Sequence, residues 1–141
     1  MLSYQHEFHA GNKADVPKHA ALAWLWHTLQ QEHDVAHYVD AFAGRGVYDL
    51  QSDEAKKTNE WRSGVARMPW SPLPASAKPY TQVLNQFGWS MSRAGREYPG
   101  SPAIVKSLAR TDDKLNLFEL HPQEHHAVSY THLTLPTKRI V

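Results

Sequence analysis

The sequence predicts an α/β fold, and three observations support that prediction. Two short apolar runs, residues 35–41 and 115–120, have the length and composition of strands buried in a sheet. Each run has an acidic residue at its carboxyl end, Asp40 in the first and Glu119 in the second. Helical patterns precede both runs, and glycines follow the first. This order is typical of parallel strands joined by helices.

Composition narrows the class of protein. The chain has 141 residues, of which 41% are hydrophobic and 21% charged, as expected for one globular domain with a core. It has no run of 18 apolar residues and no leader-like N-terminus, so we expect a cytoplasmic protein without a membrane partner. The absence of cysteine excludes disulfides, thiol nucleophiles and cysteine-ligated metals. With a net charge of +1, any nucleic acid must bind to a local patch.

The first helix is predicted over residues 18–32. Asp15 and Pro17 provide a start signal, because proline is tolerated in the first turn of a helix. Apolar residues then recur at three- and four-residue spacing and predict one face that packs on a core. These residues are Leu22, Leu25, Trp26 and Leu29.

A glycine-containing loop follows the first predicted strand. Residues 40–46 read DAFAGRG, and glycines allow a sharp turn and close approach to a ligand. Gly44 and Gly46 match the start of a dinucleotide fingerprint, but Asp49 stands where its third glycine belongs. The motif alone therefore leaves a ligand loop and a plain strand-to-loop turn both open.

Residues 52–98 are predicted to form a helical insert. Helical stretches at residues 56–66 and 80–91 flank residues 68–79, which contain four prolines. Beyond the insert, Ser101 is expected to cap a helix over residues 103–110, with Pro102 in its first turn.

The second predicted strand completes half of a mononucleotide-binding βαβ unit. In such units an acid at the end of a strand accepts hydrogen bonds from ribose hydroxyls. Glu119 has this place, and the insert accounts for most of its distance from Gly44 along the chain.

Four motifs in register resemble one known family. They are Tyr4 with HAGNKADVPKH (residues 9–19), DAFAGRGVYDL (40–50), YPGSP (98–102) and FELHP (118–122). Together they resemble the bacterial 23S ribosomal RNA adenine-N6 methyltransferases, over residues 1–122. The resemblance implies a Rossmann-like class I methyltransferase fold with a helical insert after the first strand. It also implies S-adenosylmethionine as cofactor and 23S rRNA as partner.

The resemblance also assigns site residues. The positions that match cofactor contacts or the glycine-loop motif are His19, Asp40, Phe42, Gly44, Ser101 and Glu119. By this resemblance Glu119 would hold the ribose, and Tyr4 would contact the target RNA. Phe42 stands where the family commonly has a histidine, so a polar side-chain contact is lost there and only the backbone or the ring remains.

The family's base-positioning motif is missing from the chain. Adenine N6 is a poor nucleophile, so such enzymes use an Asp or Asn followed by two prolines and an aromatic residue to hold a flipped base. Beyond Pro122 the only proline is Pro136, in an unrelated context. We therefore expect residues 1–127 to be the N-terminal part of an incomplete fold, without a catalytic residue or activity of its own. The complete enzyme is expected to be a monomer.

The last residues are expected to be foreign. VSYTHLTLPTKRIV, residues 128–141, resembles nothing in the family, and VSYTHLTLPT can be back-translated into a transposase-type sequencing adapter. We therefore expect native sequence to end at His126. A half sheet would leave an unpaired edge and an apolar face, which predicts aggregation or partial unfolding.

Other functions remain open on the residues alone. A DNA adenine-N6 methyltransferase would share the chemistry, and a non-catalytic nucleic-acid-binding module could keep the fold without the site. An NAD enzyme is disfavoured by the missing third glycine. Ten histidines raise the question of a metal, but their spacing matches no ligand motif, so we expect none. Trp26 is expected in the core.

Overall fold

The structure, a computed structural model, describes residues 4–130 and 139–141. Its helices are α1 (Asp15–Glu32), α2 (Asp53–Thr58), α3 (Lys78–Gln86), α4 (Ser101–Leu108) and α5 (Pro122–Tyr130). Its strands are β1 (His37–Asp40), β2 (Val47–Asp49), β3 (Glu97–Pro99), β4 (Lys114–Leu117) and β5 (Arg139–Ile140). Short 3₁₀ turns occur at His6–Phe8, Glu60–Arg62, Val65–Arg67 and Ala75–Ala77.

The two strands expected from sequence are adjacent and parallel. In the three-stranded sheet the order is β1-β4-β5, and Tyr38 lies opposite Leu115. This confirms the α/β class with a small parallel sheet. Because β1 and β4 run in the same direction, the loops after them meet at one edge, where Ala43 N donates to the Phe118 carbonyl at 3.0 Å. The glycine loop and Glu119 are thereby brought together.

A second sheet of two strands was not expected. β2 pairs antiparallel with β3, and Tyr48 lies opposite Tyr98. The pair joins the two ends of the segment predicted as the insert. Inside that segment Val65, Leu84 and Trp89 are buried in the same core cluster as Tyr48 and other residues of the main body. The insert therefore packs on the common core.

The buried face of α1 differs from the predicted one. Trp26 is buried as expected, but Leu25 is 51% exposed, so its place on the core face was predicted wrongly. Much of the buried face is polar, and includes Asp15, His19 and Gln30. These side chains have hydrogen-bond partners inside the fold, which lets them displace a leucine from the interior.

Asp113 ties α1 to the segments that lead into β1 and β4. Its Oδ1 accepts from Ala36 N at 2.8 Å, and its Oδ2 accepts from Gln30 Nε2 at 2.9 Å. Arg110 donates to the same carboxylate from its backbone and its guanidinium. Burial would raise the pKa of Asp113, but these hydrogen bonds outweigh it and hold the pKa well below its usual range.

Two local predictions in the helices were wrong. Ser101 is the first residue of α4, and Gly100 is its N-cap without a side-chain cap. The Ser101 hydroxyl donates to Asp40 Oδ2 at 2.6 Å, because a charged carboxylate is a stronger partner than a backbone group. The helix predicted over residues 56–66 breaks at Asn59, which adopts a left-handed conformation with φ of 52°.

The predicted foreign tail lies partly outside the described residues. Residues 131–138 are not described, whereas Val128 is buried in α5 and Arg139–Ile140 pairs with β4. The origin of residues 128–141 stays a prediction. In the described part of the chain no helix combines the length and the apolar character that crossing a membrane requires.

Candidate functional site

A cavity of about 450 Å³ opens where β1 and β4 end. This volume lies in the range of small-molecule sites. Of the seven site residues expected from sequence, six line the cavity: Tyr4, His19, Phe42, Gly44, Ser101 and Glu119. Asp40 does not line it. Residues contributed by the N-terminal segment, α1, the glycine loop and the turn after β4 therefore meet at one site.

Glu119 forms an acceptor-rich wall of the cavity. Its Oε2 accepts from Gly44 N at 2.7 Å, and its Oε1 accepts from His121 N at 2.7 Å. A carboxylate can accept about four hydrogen bonds, so about two acceptor positions remain for a ligand. The same two bonds hold the glycine loop and the turn after β4 in place.

Glycine is required at position 44. Gly44 has a φ of +63°, a region that L side chains rarely adopt, and an added Cβ would lie 2.6 Å from the Tyr48 hydroxyl oxygen. The Tyr48 ring also lines the cavity. The loop therefore follows the cavity wall closely because it lacks a side chain there.

Asp40 supports the site from behind. Its Oδ2 accepts from the hydroxyls of Tyr38 and Ser101, both at 2.6 Å, and its Oδ1 accepts from Phe42 N at 3.1 Å. The Ser101 hydroxyl has thus donated its proton, and only its oxygen can still accept. The backbone N–H of Phe42 is also engaged, so it is not free to bind a ligand. The ring of Phe42, which is 88% exposed, is the part of this residue that can still contact one.

Arg45 anchors the glycine loop between two buried carboxylates. Its guanidinium contacts Glu7 Oε2 at 2.8 Å and Glu124 Oε1 at 2.7 Å, and its backbone N donates to Glu124 at 3.0 Å. Burial raises the pKa of Glu7, and the Arg45 charge opposes that rise. The cluster joins the N-terminal 3₁₀ turn, the loop and α5.

Tyr4 lies at the rim of the cavity. Its side chain is 67% exposed, its ring stacks on His9 with centroids 5.8 Å apart, and its hydroxyl lies 2.8 Å from His6 Nδ1. The other nitrogen of His6, Nε2, lies 2.7 Å from Asp15 Oδ2. Burial would raise the pKa of Asp15, but the bonds and charges of His6, His19 and Lys18 outweigh it and hold the pKa below its usual range. Since an ionised carboxylate only accepts, His6 donates from Nε2.

His19 is a buried residue of the cavity wall. Its Nδ1 lies 2.8 Å from the Tyr98 hydroxyl. Burial lowers the pKa of His19 to about 4, and the Asp15 charge opposes this only in part. The imidazole is therefore neutral at neutral pH.

Several lining residues were missed from sequence. These are His6, Lys18, Tyr48, His121 and Glu124. Lys18, Tyr48 and His121 lie inside the quoted motifs, so the motif positions themselves were a usable signal. Glu124 lies outside every motif, and it reaches the cavity from the first turn of α5. Within residues 4–130 and 139–141, no group of three or more His, Asp or Glu side chains could hold a metal ion.

Comparisons with known proteins identify the family. A family model described as "Ribosomal RNA large subunit methyltransferase D, RlmJ" matches residues 33–134. The Ribosomal RNA large subunit methyltransferase J of Escherichia coli (strain K12) is 43% identical over 129 residues, which are 89% of this chain and 44% of that protein. Its namesake from Haemophilus influenzae is 38% identical over 127 residues, with the same shares.

A solved structure agrees with these matches. A protein of Legionella pneumophila str. Philadelphia 1, described as family DUF519, superimposes with a TM-score of 0.80 at 30% identity, over 93% of this chain and 48% of that one. The chain thus spans less than half the length of the curated relatives that it matches. The family model covers most of this chain, and by that match the chain belongs to the ribosomal RNA large subunit methyltransferase J family.

Proposed function

We propose that this chain carries the cofactor-binding part of an enzyme that methylates N6 of an adenine in 23S rRNA. The observation that supports this most is the convergence of six motif residues on one cavity, in a chain that belongs to a methyltransferase family. The enzyme would act in the cytoplasm as a monomer. Its base-positioning residues would lie outside this chain.

The residues of the cavity fit S-adenosylmethionine. Glu119 keeps about two acceptor positions, which suit the two hydroxyls of a ribose. Lys18 and His19 lie on the cavity wall and offer N–H donors for a carboxylate. The Ser101 hydroxyl oxygen can accept from an ammonium group. When bound, the cofactor supplies a methyl group on a positively charged sulfur, and the residues of this chain orient it.

Glu119→Ala should weaken cofactor binding by about 1–3 kcal/mol, the range for leaving buried hydrogen-bond partners unsatisfied. The change removes the proposed ribose acceptor and also releases Gly44 N and His121 N. Calorimetric titration with S-adenosylhomocysteine measures the effect. Glu97→Ala is the matched control, because Glu97 is an exposed acid at the start of β3. Unchanged affinity in Glu119→Ala would remove Glu119 from the site.

Tyr4→Ala should lower methylation several-fold and leave cofactor affinity nearly unchanged. Tyr4 is exposed at the rim, where a flipped base could stack on it, whereas the proposed contacts to the cofactor at His19, Ser101 and Glu119 are made by buried or half-buried residues. The measurement uses the chain extended with the C-terminal part of the Escherichia coli relative, and it compares methyl transfer to RNA with binding of S-adenosylhomocysteine. Tyr4→Phe keeps the ring and loses only the hydroxyl bond to His6, so it separates stacking from hydrogen bonding. A large loss of cofactor affinity in Tyr4→Ala would contradict this role.

The decisive experiment uses a chain extended with the C-terminal part of the Escherichia coli relative. We expect it to methylate protein-free 23S RNA and not duplex DNA, and to bind S-adenosylhomocysteine and not NAD. Methylation of duplex DNA would favour a DNA enzyme instead. Binding of RNA without any methyl transfer would favour a non-catalytic module. The 141-residue chain alone is expected to transfer no methyl group.

A further inference from the structure

Two buried tyrosines form a hydroxyl chain that ends on His19. The Tyr80 hydroxyl lies 2.9 Å from that of Tyr98, which in turn lies 2.8 Å from His19 Nδ1. Tyr80 and Tyr98 are each at most 1% exposed, and the rings of Tyr98 and His19 stack with centroids 5.6 Å apart. Water is thus kept away from both hydroxyls, so each hydroxyl proton must be donated to another member of the Tyr80–Tyr98–His19 chain.

The direction of the chain follows from counting donors. Within the part of the chain that the structure describes, the Tyr80 hydroxyl has one hydrogen-bond partner, Tyr98. If Tyr80 accepted, its own O–H would be buried without an acceptor, at a cost of about 1–3 kcal/mol. Tyr80 therefore donates to Tyr98. Tyr98 then donates its single proton to His19 Nδ1, which must be bare.

A bare Nδ1 fixes the other nitrogen of the ring. Neutral His19 carries its one proton on Nε2, the edge of the ring opposite Tyr98. No described residue is hydrogen-bonded to Nε2, and His19 lines the cavity. Charges that face His19 come from Asp15 and Lys18 on its own helix, His6 of the N-terminal turn and Asp40 at the end of β1.

We infer that Tyr80 and Tyr98 are positioning residues that hold His19 as an Nε2–H donor towards the cavity. A ligand must therefore present an acceptor to this point, and a carboxylate next to Lys18 satisfies both neighbours. The identity of that ligand as the amino-acid end of the cofactor rests on the proposed function. The tautomer itself does not rest on it.

Ring ¹⁵N chemical shifts of His19 in the 141-residue chain test the tautomer directly. The His19 signals are identified by their absence in His19→Asn. We expect protonated Nε2 and bare Nδ1 at pH 7. Tyr80→Phe should keep this state, since Tyr98 still donates to Nδ1. Tyr98→Phe should show both tautomers. The double variant Tyr80→Phe, Tyr98→Phe should show them too, and it leaves no Tyr80 hydroxyl without a partner. Protonated Nδ1 in the unmodified chain, or a single unchanged tautomer in Tyr98→Phe, would overturn the inference.

Ligand selectivity provides the second test. Tyr98→Phe should weaken S-adenosylhomocysteine by about twofold to tenfold, the equivalent of one hydrogen bond, and leave 5′-methylthioadenosine, which lacks the carboxylate, unchanged. Equal weakening of both ligands would point to a packing effect and overturn the positioning role. If neither ligand binds while the shifts show protonated Nε2, the proposed cofactor fails and the tautomer assignment stands.

Discussion

Arg45→Met should destabilise the protein by about 3–5 kcal/mol, the cost of removing one partner from a buried ion cluster. The side chains of Arg45, Glu7 and Glu124 are only 17%, 9% and 4% exposed. Methionine keeps much of the arginine's aliphatic volume, so the loss is mainly one of charge and hydrogen bonding. Glu7 and Glu124 would be left as neighbouring buried carboxylates without a cation. Urea unfolding at pH 7 measures the change.

Arg96→Met is the matched control for this prediction. Arg96 pairs with Asp49 at 2.9 Å, a geometry close to that of Arg45, but the two side chains are 71% and 41% exposed. Water screens an exposed ion pair, so Arg96→Met should cost much less stability than Arg45→Met. The triple variant Arg45→Met, Glu7→Gln, Glu124→Gln should recover part of the stability, because it leaves no unpaired charge. Equal losses in Arg45→Met and Arg96→Met would contradict the buried cluster.

Acidification should destabilise the fold in two stages. The pKa of His19 is about 4 in the folded state, against about 6.5 when unfolded, so the unfolded chain binds more protons between these values. The contribution of neutral His19 to the free energy of unfolding is therefore fully present above pH 6.5 and is lost as the pH falls to 4. At 1.36 kcal/mol for each pKa unit, the loss is about 3 kcal/mol. Asp15 and Asp113, whose pKa values are lowered, contribute stability above about pH 4 that is lost below it.

Unfolding free energies measured by urea from pH 7.5 to pH 3 test both stages. His19→Asn places an amide oxygen close to the position that Nδ1 has in the unmodified chain, where it can accept from Tyr98. The substitution also removes the titrating group. The variant should lose the slope between about pH 6.5 and 4 and keep the one below. The other nine histidines are common to both proteins, so their contribution cancels. The same slope in both proteins would show that His19 does not titrate as described.

The parts of the fold that sequence predicted are those with local signals. Residues 35–41 contain β1 and residues 115–120 overlap β4, because short apolar runs next to acids and glycines are recognisable along the chain. The pairing of β2 with β3 was not predictable in the same way. Each strand has three residues, too few to show a period, and nearly fifty residues of helix and loop separate them.

The site residues were predictable where they lie in motifs. They were not predictable where a side chain binds a partner distant in sequence instead of following its local pattern. Ser101 has the residue type of an N-cap, but Asp40, 61 positions earlier, takes its hydroxyl. The helix pattern favoured Leu25 as a core residue, yet hydrogen bonds to Gln30 and His19 placed polar side chains inside. Such choices depend on residues distant in sequence, which a local pattern does not contain.

The polar face of α1 has a consequence for how that helix sits against its neighbours. Apolar contacts tolerate a small rotation about the helix axis better than hydrogen bonds do, because the hydrophobic effect is non-directional. Asp15, His19 and Gln30 each depend on a directional partner, and their spacing keeps them within about 60° of one another around the axis. A slip by one residue turns the helix by about 100° and breaks all three bonds at once. The three hydrogen bonds therefore fix one rotational register for α1, and this register fixes the orientation of the His19 side chain.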